Sequence, residues 1–494
     1  MKSKTFIHII WQLSILLTVT LSCVESREPV ERLSGAPTLY PDYVETTIPQ
    51  NIAPLNFSLA SLTGKAVALF KTKNMRVEVQ ANKGSFIIPP RKWRALLQSA
   101  VGQSVEVIIQ LKAPTGWKEY APFRIYVAAE PVDSYLAYRL IEPGYEVWNQ
   151  MGIYQRNIET YEESSVYENK LTGYNCVNCH SFCMQDPGTM LFHMRAAYGG
   201  TMLIRGDEIE RLNTKTNLTI SNFTYPYWHP SGRYVAFSVN ETAQDFHPTQ
   251  RVEVFDKASD ILVYDVEAKK VFIPTAASLP DRFETFPSFS PDGKTLFYCS
   301  APACPMPDSV GQLKYSLYSI AFDPETQAFG SRVDTLYNAE VQGKSVSFPR
   351  VSPDGRYLMC TLSGYGTFPI WHKDADLYMI NLASGEAYFP AEANSDDTES
   401  YHSWSSNSRW AVFSSRRMDG LYTRPFLVYI SETGELAKPF VLPQKETGFY
   451  SSFMKSYNIP EFVSGKIKDR SFRLREKARK EEALPITVDS IASK

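Results

Sequence analysis

The chain has 494 residues, enough for two or three domains of roughly 100–200 residues each. Its 51 Lys and Arg against 53 Asp and Glu give a formal net charge of −2, which excludes the basic excess of a nucleic-acid-binding protein. Aromatic residues make up 13% and proline occurs 32 times, a mixture that favours strands and turns over helices. Beyond the N-terminus, no apolar run approaches the length of about 18 residues that a membrane helix needs.

The N-terminus reads as a targeting segment. Lys2 and Lys4 precede the apolar stretch "TFIHIIWQLSILLTVTLS" (5–22), and Cys23 follows. The pattern is that of an export signal over residues 1–22, to be set aside from the fold. Leu21-Ser22-Cys23 resembles a bacterial lipobox, with Thr20 where an aliphatic residue is usual. On this reading Cys23 is lipidated and holds the chain to a membrane; an ordinary cleaved signal and an uncleaved anchor are the alternatives. Residues 24–50 are polar and proline-spotted, and read as a tether.

Residues 51–131 carry short, partly alternating strands: "AVALFKT" (66–72), "RVEVQA" (76–81), "SVEVIIQLKA" (104–113) and "PFRIYVAA" (122–129). An amphipathic helix, "PRKWRALLQSAVG" (90–102), interrupts them, with Pro90 in its first turn and Gly102 at its end. This predicts a small β-sandwich-like accessory domain with nothing catalytic in it. Residues 132–198 are tyrosine-rich and lack alternation, so they read as an irregular segment of loops and short helices.

Inside that segment "GYNCVNCHSFCMQ" (173–185) spells C-x-x-C-H with Cys176, Cys179 and His180. In c-type cytochromes two thiols at this spacing add across the haem vinyl groups, and the adjacent histidine ligates iron. Attachment follows export, which the N-terminus supplies. The expected cofactor is therefore haem c, held by Cys176, Cys179 and His180. Candidates for the second axial position follow in "MQDPGTMLFHMRAAYGG"; His193 is preferred, 13 residues past His180. The expected iron ligands are thus His180 and His193, with Arg195 available to a haem propionate. Cys183 adds a fourth possible zinc ligand, but eight consecutive residues can hardly wrap a tetrahedral ion. A disulfide between Cys176 and Cys179, or between Cys179 and Cys183, is the bland alternative. The remaining cysteines, 299, 304 and 360, do not suggest a disulfide framework.

From residue 199 the chain repeats. "YPYWHPSGRYVAFSVN" (225–240), "FPSFSPDGKTLFYCSA" (286–301), "FPRVSPDGRYLMCTLS" (348–363) and "YHSWSSNSRWAVFSSR" (401–416) share an aromatic start, a tight turn, a basic residue and an apolar strand. The turn residues Gly232, Gly293, Gly355 and Ser408 are spaced by 61, 62 and 53 residues. A strand–turn–strand partner follows each, so each unit supplies about four strands, a propeller blade. "GTMLIRGDEIERLN" (200–213) reads as the end of a further blade and "FYSSFMKSYNIPEF" (449–462) as its beginning. Joining them closes a five-bladed ring over 199–462; a sixth blade hides, if anywhere, in 175–200. In the charged tail, 463–494, the stretch "GKIKDRSFRLREKARKEEA" (465–483) reads as a surface helix.

These units resemble the TolB-like, WD-repeat-like propellers of bacterial envelopes, on the lines "FPSFSPDGK" and "FPRVSPDGR". With "PDYVETTIPQNIAPLNF", "GYNCVNCHSF" and "SYHSWSSNSRWAVFSSRRMDGLYTRPF", the whole chain resembles the propeller-containing envelope lipoproteins of Bacteroidetes. The resemblance implies a mainly β fold and an outer-membrane-anchored lipoprotein facing the periplasm or the cell surface. It implies no mechanism, because the family has no established activity. Three functions are expected in order: an anchored single-haem protein for electron transfer or redox sensing with a partner protein; a haem-free envelope scaffold binding protein or glycan; and a haem enzyme such as a peroxidase. No G-x-S-x-G nucleophile elbow, P-loop or H-E-x-x-H zinc motif is present. Glu399, His402, Arg416 and Arg417 stand in propeller-end loops and could form a polar funnel.

Overall fold

The computed structural model describes residues 27–59, 64–142, 149–216 and 219–488. The export signal and Cys23 lie outside these residues. Among the described residues no helix is long and apolar enough to cross a membrane.

The fold is mainly β and propeller-like. Six sheets of four main strands follow one another along the chain. Sheet one joins Tyr135–Ile141, Gly152–Asn157 and Glu163–Glu168 to Ser456–Val463 from the far end of the sequence. Sheet two runs Val177–Phe182, Thr189–Met194, Gly200–Arg205 and Glu208–Asn213. Sheets three to six begin at Phe223–Trp228, Arg282–Phe289, Ser345–Val351 and Glu399–Trp404. These four strands, with Val177–Phe182 and Ser456–Val463, pack each against the next around a closed circle. They are the inner strands; the outer strands of each sheet follow in antiparallel order.

Three sequence expectations change here. The segment 132–198, read as loops and short helices, is largely strand. Its alternation is invisible because its strands are buried on both faces: Leu136, Ala137, Tyr138, Arg139 and Leu140 are all buried in succession. The ring is closed not by 200–213 but by Ser456–Val463 pairing with Tyr135–Ile141, Leu136 opposite Phe462 and Leu140 opposite Tyr457. The segment 24–50, read as a tether, holds strands at Pro29–Arg32, Leu39–Tyr40 and Thr46–Pro49. Thr46–Pro49 runs parallel to Ile125–Ala128, because Ile48 in the β-branched run Thr46-Thr47-Ile48 buries completely.

The accessory domain holds the strands expected of it, at Ala66–Lys71, Arg76–Gln80, Ser104–Ala113 and Phe123–Ala128, in a mixed seven-stranded sheet. The helix Pro90–Gln98 packs on it through Trp93, Leu96 and Leu97, and Trp93 donates its indole N–H to the Ile52 carbonyl at 3.0 Å. The domain is not loosely tethered, since one hydrophobic core runs from it into sheets one, five and six. Trp410 of sheet six donates to the Glu130 carbonyl at 3.1 Å, and Ser406 binds Asp133 at 2.6 Å. At the C-terminus, the expected charged helix forms at Ser471–Lys480 with Leu474 and Ala478 buried. Beyond it Leu484–Pro485 and Thr487–Val488 pair with the outer edges of sheets two and three, which covers those edges.

Candidate functional site

Every inner strand carries the same irregularity. Its register with the neighbouring strand slips at Asn178/Ser181, Thr224/Tyr227, Thr285/Ser288, Ser347/Arg350 and Ser400/Ser403, and in sheet one opposite Ala137/Arg139. At each bulge one residue takes a left-handed backbone: Cys179 (φ 51°), Tyr225 (45°), Phe286 (53°), Phe348 (53°), Tyr401 (50°) and Ile459 (52°). Aligned on it, the strands read Cys179-His180-Ser181-Phe182, Tyr225-Pro226-Tyr227-Trp228, Phe286-Pro287-Ser288-Phe289, Phe348-Pro349-Arg350-Val351, Tyr401-His402-Ser403-Trp404 and Ile459-Pro460-Glu461-Phe462. The second half of the C-x-x-C-H motif is thus the local form of a repeat in which four of the six members carry proline. This signal was available in the sequence: "CHSF" aligns with "YHSW" and "FPSF".

The bulge residues surround the axis. Four are aromatic and touch in succession, with ring centroids 4.5 Å apart for Tyr225–Phe286, 4.2 Å for Phe286–Phe348 and 5.0 Å for Phe348–Tyr401. The other two, Cys179 and Ile459, are smaller. On that side opens a cavity of 440 Å³ lined by Cys176, Cys179, His180, Ile459 and Arg139 among others. One end is covered by the hairpin of Tyr234–His247 and Arg251–Asp265, whose Thr242, Gln244, Val252 and Val254 line the cavity. The hairpin is latched to sheet five. Tyr365 donates to the Glu253 carboxylate at 2.8 Å, and His372 Nε2 lies 3.5 Å from its other oxygen. Burial alone would raise Glu253, but hydrogen bonds from His372 and Tyr365 outweigh it and hold the carboxyl below its ordinary value.

The structure brings three of the four expected haem residues together. Cys176, Cys179 and His180 line the same cavity; all three cysteines of the motif region are free thiols. Burial raises the Cys176 thiol. The His180 ring is fully buried, and burial, with Arg139 nearby, lowers it to about 3, so it is neutral. Neither ring nitrogen makes a well-formed hydrogen bond; its polar neighbours are the Glu461 carboxylate, 3.6 Å from Nε2, and the Ile459 backbone. His193 is elsewhere. It lies opposite Asn178 on the neighbouring strand, its Nδ1 is 2.8 Å from Thr201 Oγ1, and it does not line the cavity. The 13-residue spacing is spent on a hairpin rather than on a loop that returns to His180. Cys183 is also apart, packed with Leu191 and Trp228 and lying 3.7 Å from the His229 carbonyl. Among the described residues no three His, Cys, Asp or Glu side chains gather closely enough to hold a metal ion.

The expected funnel divides. Glu399 and Arg417 form a buried ion pair at 2.9 Å, away from the cavity. His402 and Arg416 line it, and Arg416 stacks on Trp371 at 3.6 Å. His402 donates through Nε2 to the Met359 carbonyl at 2.9 Å, and burial lowers it to about 3. Arg139 and Arg350, which sequence reasoning did not single out, complete the wall, with Arg195 exposed at its rim.

A c-type haem needs two thiols, a neutral imidazole and partners for two propionates. The residues present fit that demand: the thiols share a cavity, the imidazole is buried without well-formed hydrogen bonds, and arginines stand in the same wall.

No protein-family model and no curated protein matches the chain. Among solved structures it is similar to prolyl oligopeptidase B from Galerina marginata (11% identity over 60% of this chain and 41% of that one, TM-score 0.37). It is also similar to the tricorn protease (13%, 69% and 34%, 0.35) and to dipeptidyl peptidase 4 from Porphyromonas gingivalis (9%, 61% and 46%, 0.32). The chain spans about two fifths or less of the length of the first structures it matches.

Proposed function

We propose that the six sheets are the blades of a TolB-like propeller whose central cavity holds a covalently attached haem c, and that the protein transfers electrons or senses redox state with a partner protein. The observation that carries this is the meeting of Cys176, Cys179 and the unsatisfied, neutral His180 on one cavity. Each thiol would add across a vinyl group: the S–H bond breaks, an S–C bond forms, and the hydrogen goes to the other vinyl carbon. His180 would offer a lone pair at iron, which only neutral imidazole has. When bound, the haem supplies one-electron chemistry, and the propeller rim supplies the docking face. The export signal and Cys23 support a lipid-anchored envelope location on the outer membrane.

A second reading has its own support. His180 occupies a repeat position that His402 fills without any thiol beside it, so a haem-free binding protein also accounts for the histidine. The deciding experiment is a pyridine haemochrome spectrum of the full chain, expressed with its own signal in a host that matures c-type cytochromes, beside Cys176→Ala/Cys179→Ala. A c-type band present in the wild type and missing from the variant is expected. A colourless wild type with folded protein in hand would overturn the haem reading and leave the binding protein.

A further inference from the structure

The cavity wall is more basic than a neutral axis requires. Arg139 is 5% exposed, and its Nε is buried without a hydrogen-bond partner. Its other nitrogens bond the side-chain oxygens of Asn178 and, with the Asn458 amide oriented to satisfy its neighbours, Asn458 at 3.1 Å. Arg350, partly buried over the Tyr227 ring at 4.7 Å, donates to the Pro349 carbonyl at 2.9 Å. Both guanidinium groups therefore bond only neutral acceptors among the described residues. The carboxylate of the inner wall, Glu461, makes no hydrogen bond to either guanidinium among the described residues, and its Oε2 is buried without a hydrogen-bond partner. Glu142 is the other carboxylate lining the cavity, against four arginines, Arg139, Arg195, Arg350 and Arg416.

A buried cation without a counter-charge is costly, and removing that cost is what a ligand anion does. The planar guanidinium fork matches a carboxylate, which it can hold through two parallel hydrogen bonds. Between the arginines the wall is aromatic, with Tyr225, Phe348, Tyr401 and Trp371. At 440 Å³ the space lies within the range of about 300–1,000 Å³ typical of small-molecule sites. We infer that this cavity binds a flat organic anion through its carboxylates, with Arg139 and Arg350 as the clamp and the ring of bulge aromatics as the apolar wall. Two sources carry that chemistry: the propionates of the haem proposed above, in which case the inference rests on that reading, or a free aromatic carboxylate, in which case it stands alone.

The test uses the full mature chain with Cys176→Ala and Cys179→Ala, so that nothing attaches covalently. Tryptophan fluorescence is titrated with protoporphyrin IX, with its dimethyl ester, and with naphthalene-2,6-dicarboxylate. At least one diacid is expected to bind, to lose about tenfold or more in affinity in Arg139→Gln and in Arg350→Gln, and to bind at least tenfold more tightly than its ester. Arg350→Lys, which keeps the charge and loses the fork, separates clamp from field, and a cooperative thermal transition in each variant shows that the fold persists. Preference for the porphyrin assigns the site to haem; preference for the naphthalene diacid assigns it to a free carboxylate. Binding indifferent to both arginine substitutions, ester binding equal to diacid binding, or no binding of either diacid overturns the inference. A colourless wild type would sink the haem proposal and leave this titration intact.

Discussion

Sheets two and six present the same corner to the axis. Cys179-His180-Ser181-Phe182 and Tyr401-His402-Ser403-Trp404 share the bulge, the left-handed residue (φ 51° and 50°) and a buried histidine lowered to about 3. They differ at the bulge residue. Tyr401 lies 5.0 Å from the Phe348 ring and 6.3 Å from Phe368, continuing the aromatic circle. Cys179 has no ring, and the cavity opens beside it. His402 is fixed by the Met359 carbonyl at 2.9 Å, whereas His180 has no such bond. The site is made by subtraction: a scaffold that repeats an aromatic plug leaves it out beside one neighbour and places thiols there. In a ring of similar units, function is to be sought where a unit departs from the repeat.

The strongest way to break the comparison is to make sheet two like sheet six. Cys179→Tyr restores the plug at a backbone that already carries tyrosine in two other sheets, so added strain is small. The expected outcome is total loss of haem attachment and of diacid binding, with a retained cooperative melt. Absorbance of the purified protein and a thermal scan check it. Binding that survives a filled corner would show that the cavity is not where the ligand sits.

A second contrast lies in the turns. Gly293 and Gly355 hold the same position after Asp292 and Asp354, with φ 73° and 74°. A Cβ on Gly355 meets nothing within 4 Å, whereas one on Gly293 would stand 2.1 Å from His229 Nε2. His229 cannot step aside easily, since its Nε2 is 3.0 Å from the Gly293 carbonyl and its ring packs edge-on against Phe289 and Tyr234. Gly355→Ala should cost only the left-handed penalty of about 1–2 kcal/mol. Gly293→Ala should cost about 2–4 kcal/mol, since overpacking is added. Denaturant melts of the two variants give the difference, and equal losses would refute the contact. Sheet six shows the lenient case in nature, with Ser408 at φ 61°.

These contrasts also mark what the sequence could and could not tell. The four repeating sheets were legible because their tight turns repeat, the helix at 90–98 because its apolar face keeps helical spacing, and that at 471–480 because of its charged composition. The strand at 135–141 was not, because burial on both faces erases the alternation that marks a half-exposed strand. Ring closure by Ser456–Val463 was half legible: "FYSSFMKSYNIPEF" (449–462) reads as the beginning of a unit, but its partner at 135–141 carries no repeat. The motif cysteines were found from their spacing, and the structure places them on a cavity. His193 was chosen by distance along the chain, which does not predict distance in a hairpin. Arg139 and Arg350 carry no local signature, since their role comes only from six strands converging.

The smallest expected effect concerns the hairpin over the cavity, whose strands run on from Tyr234 to His247 and from Arg251 to Asp265. Its latch is Glu253, 6% exposed, held by Tyr365 and His372. Its folded pKa lies below the ordinary value, so the stabilisation it contributes is present above about pH 4.3, the unfolded value, and is lost as pH falls through the lower folded value. Tyr365→Phe removes one donor to a buried carboxylate and should cost about 1–2 kcal/mol at pH 7. The loss should appear as faster amide exchange over residues 240–256, with little change in sheets one and six. The same substitution should raise the Glu253 pKa, so the gap between variant and wild type should narrow as pH falls through the folded Glu253 value. A gap that stays constant down to the acid limit of folding would mean that the Tyr365 hydroxyl acts through packing rather than through the carboxylate. The Tyr365 contribution to the cover over the cavity would then be one of packing, leaving His372 as the partner of the Glu253 carboxylate.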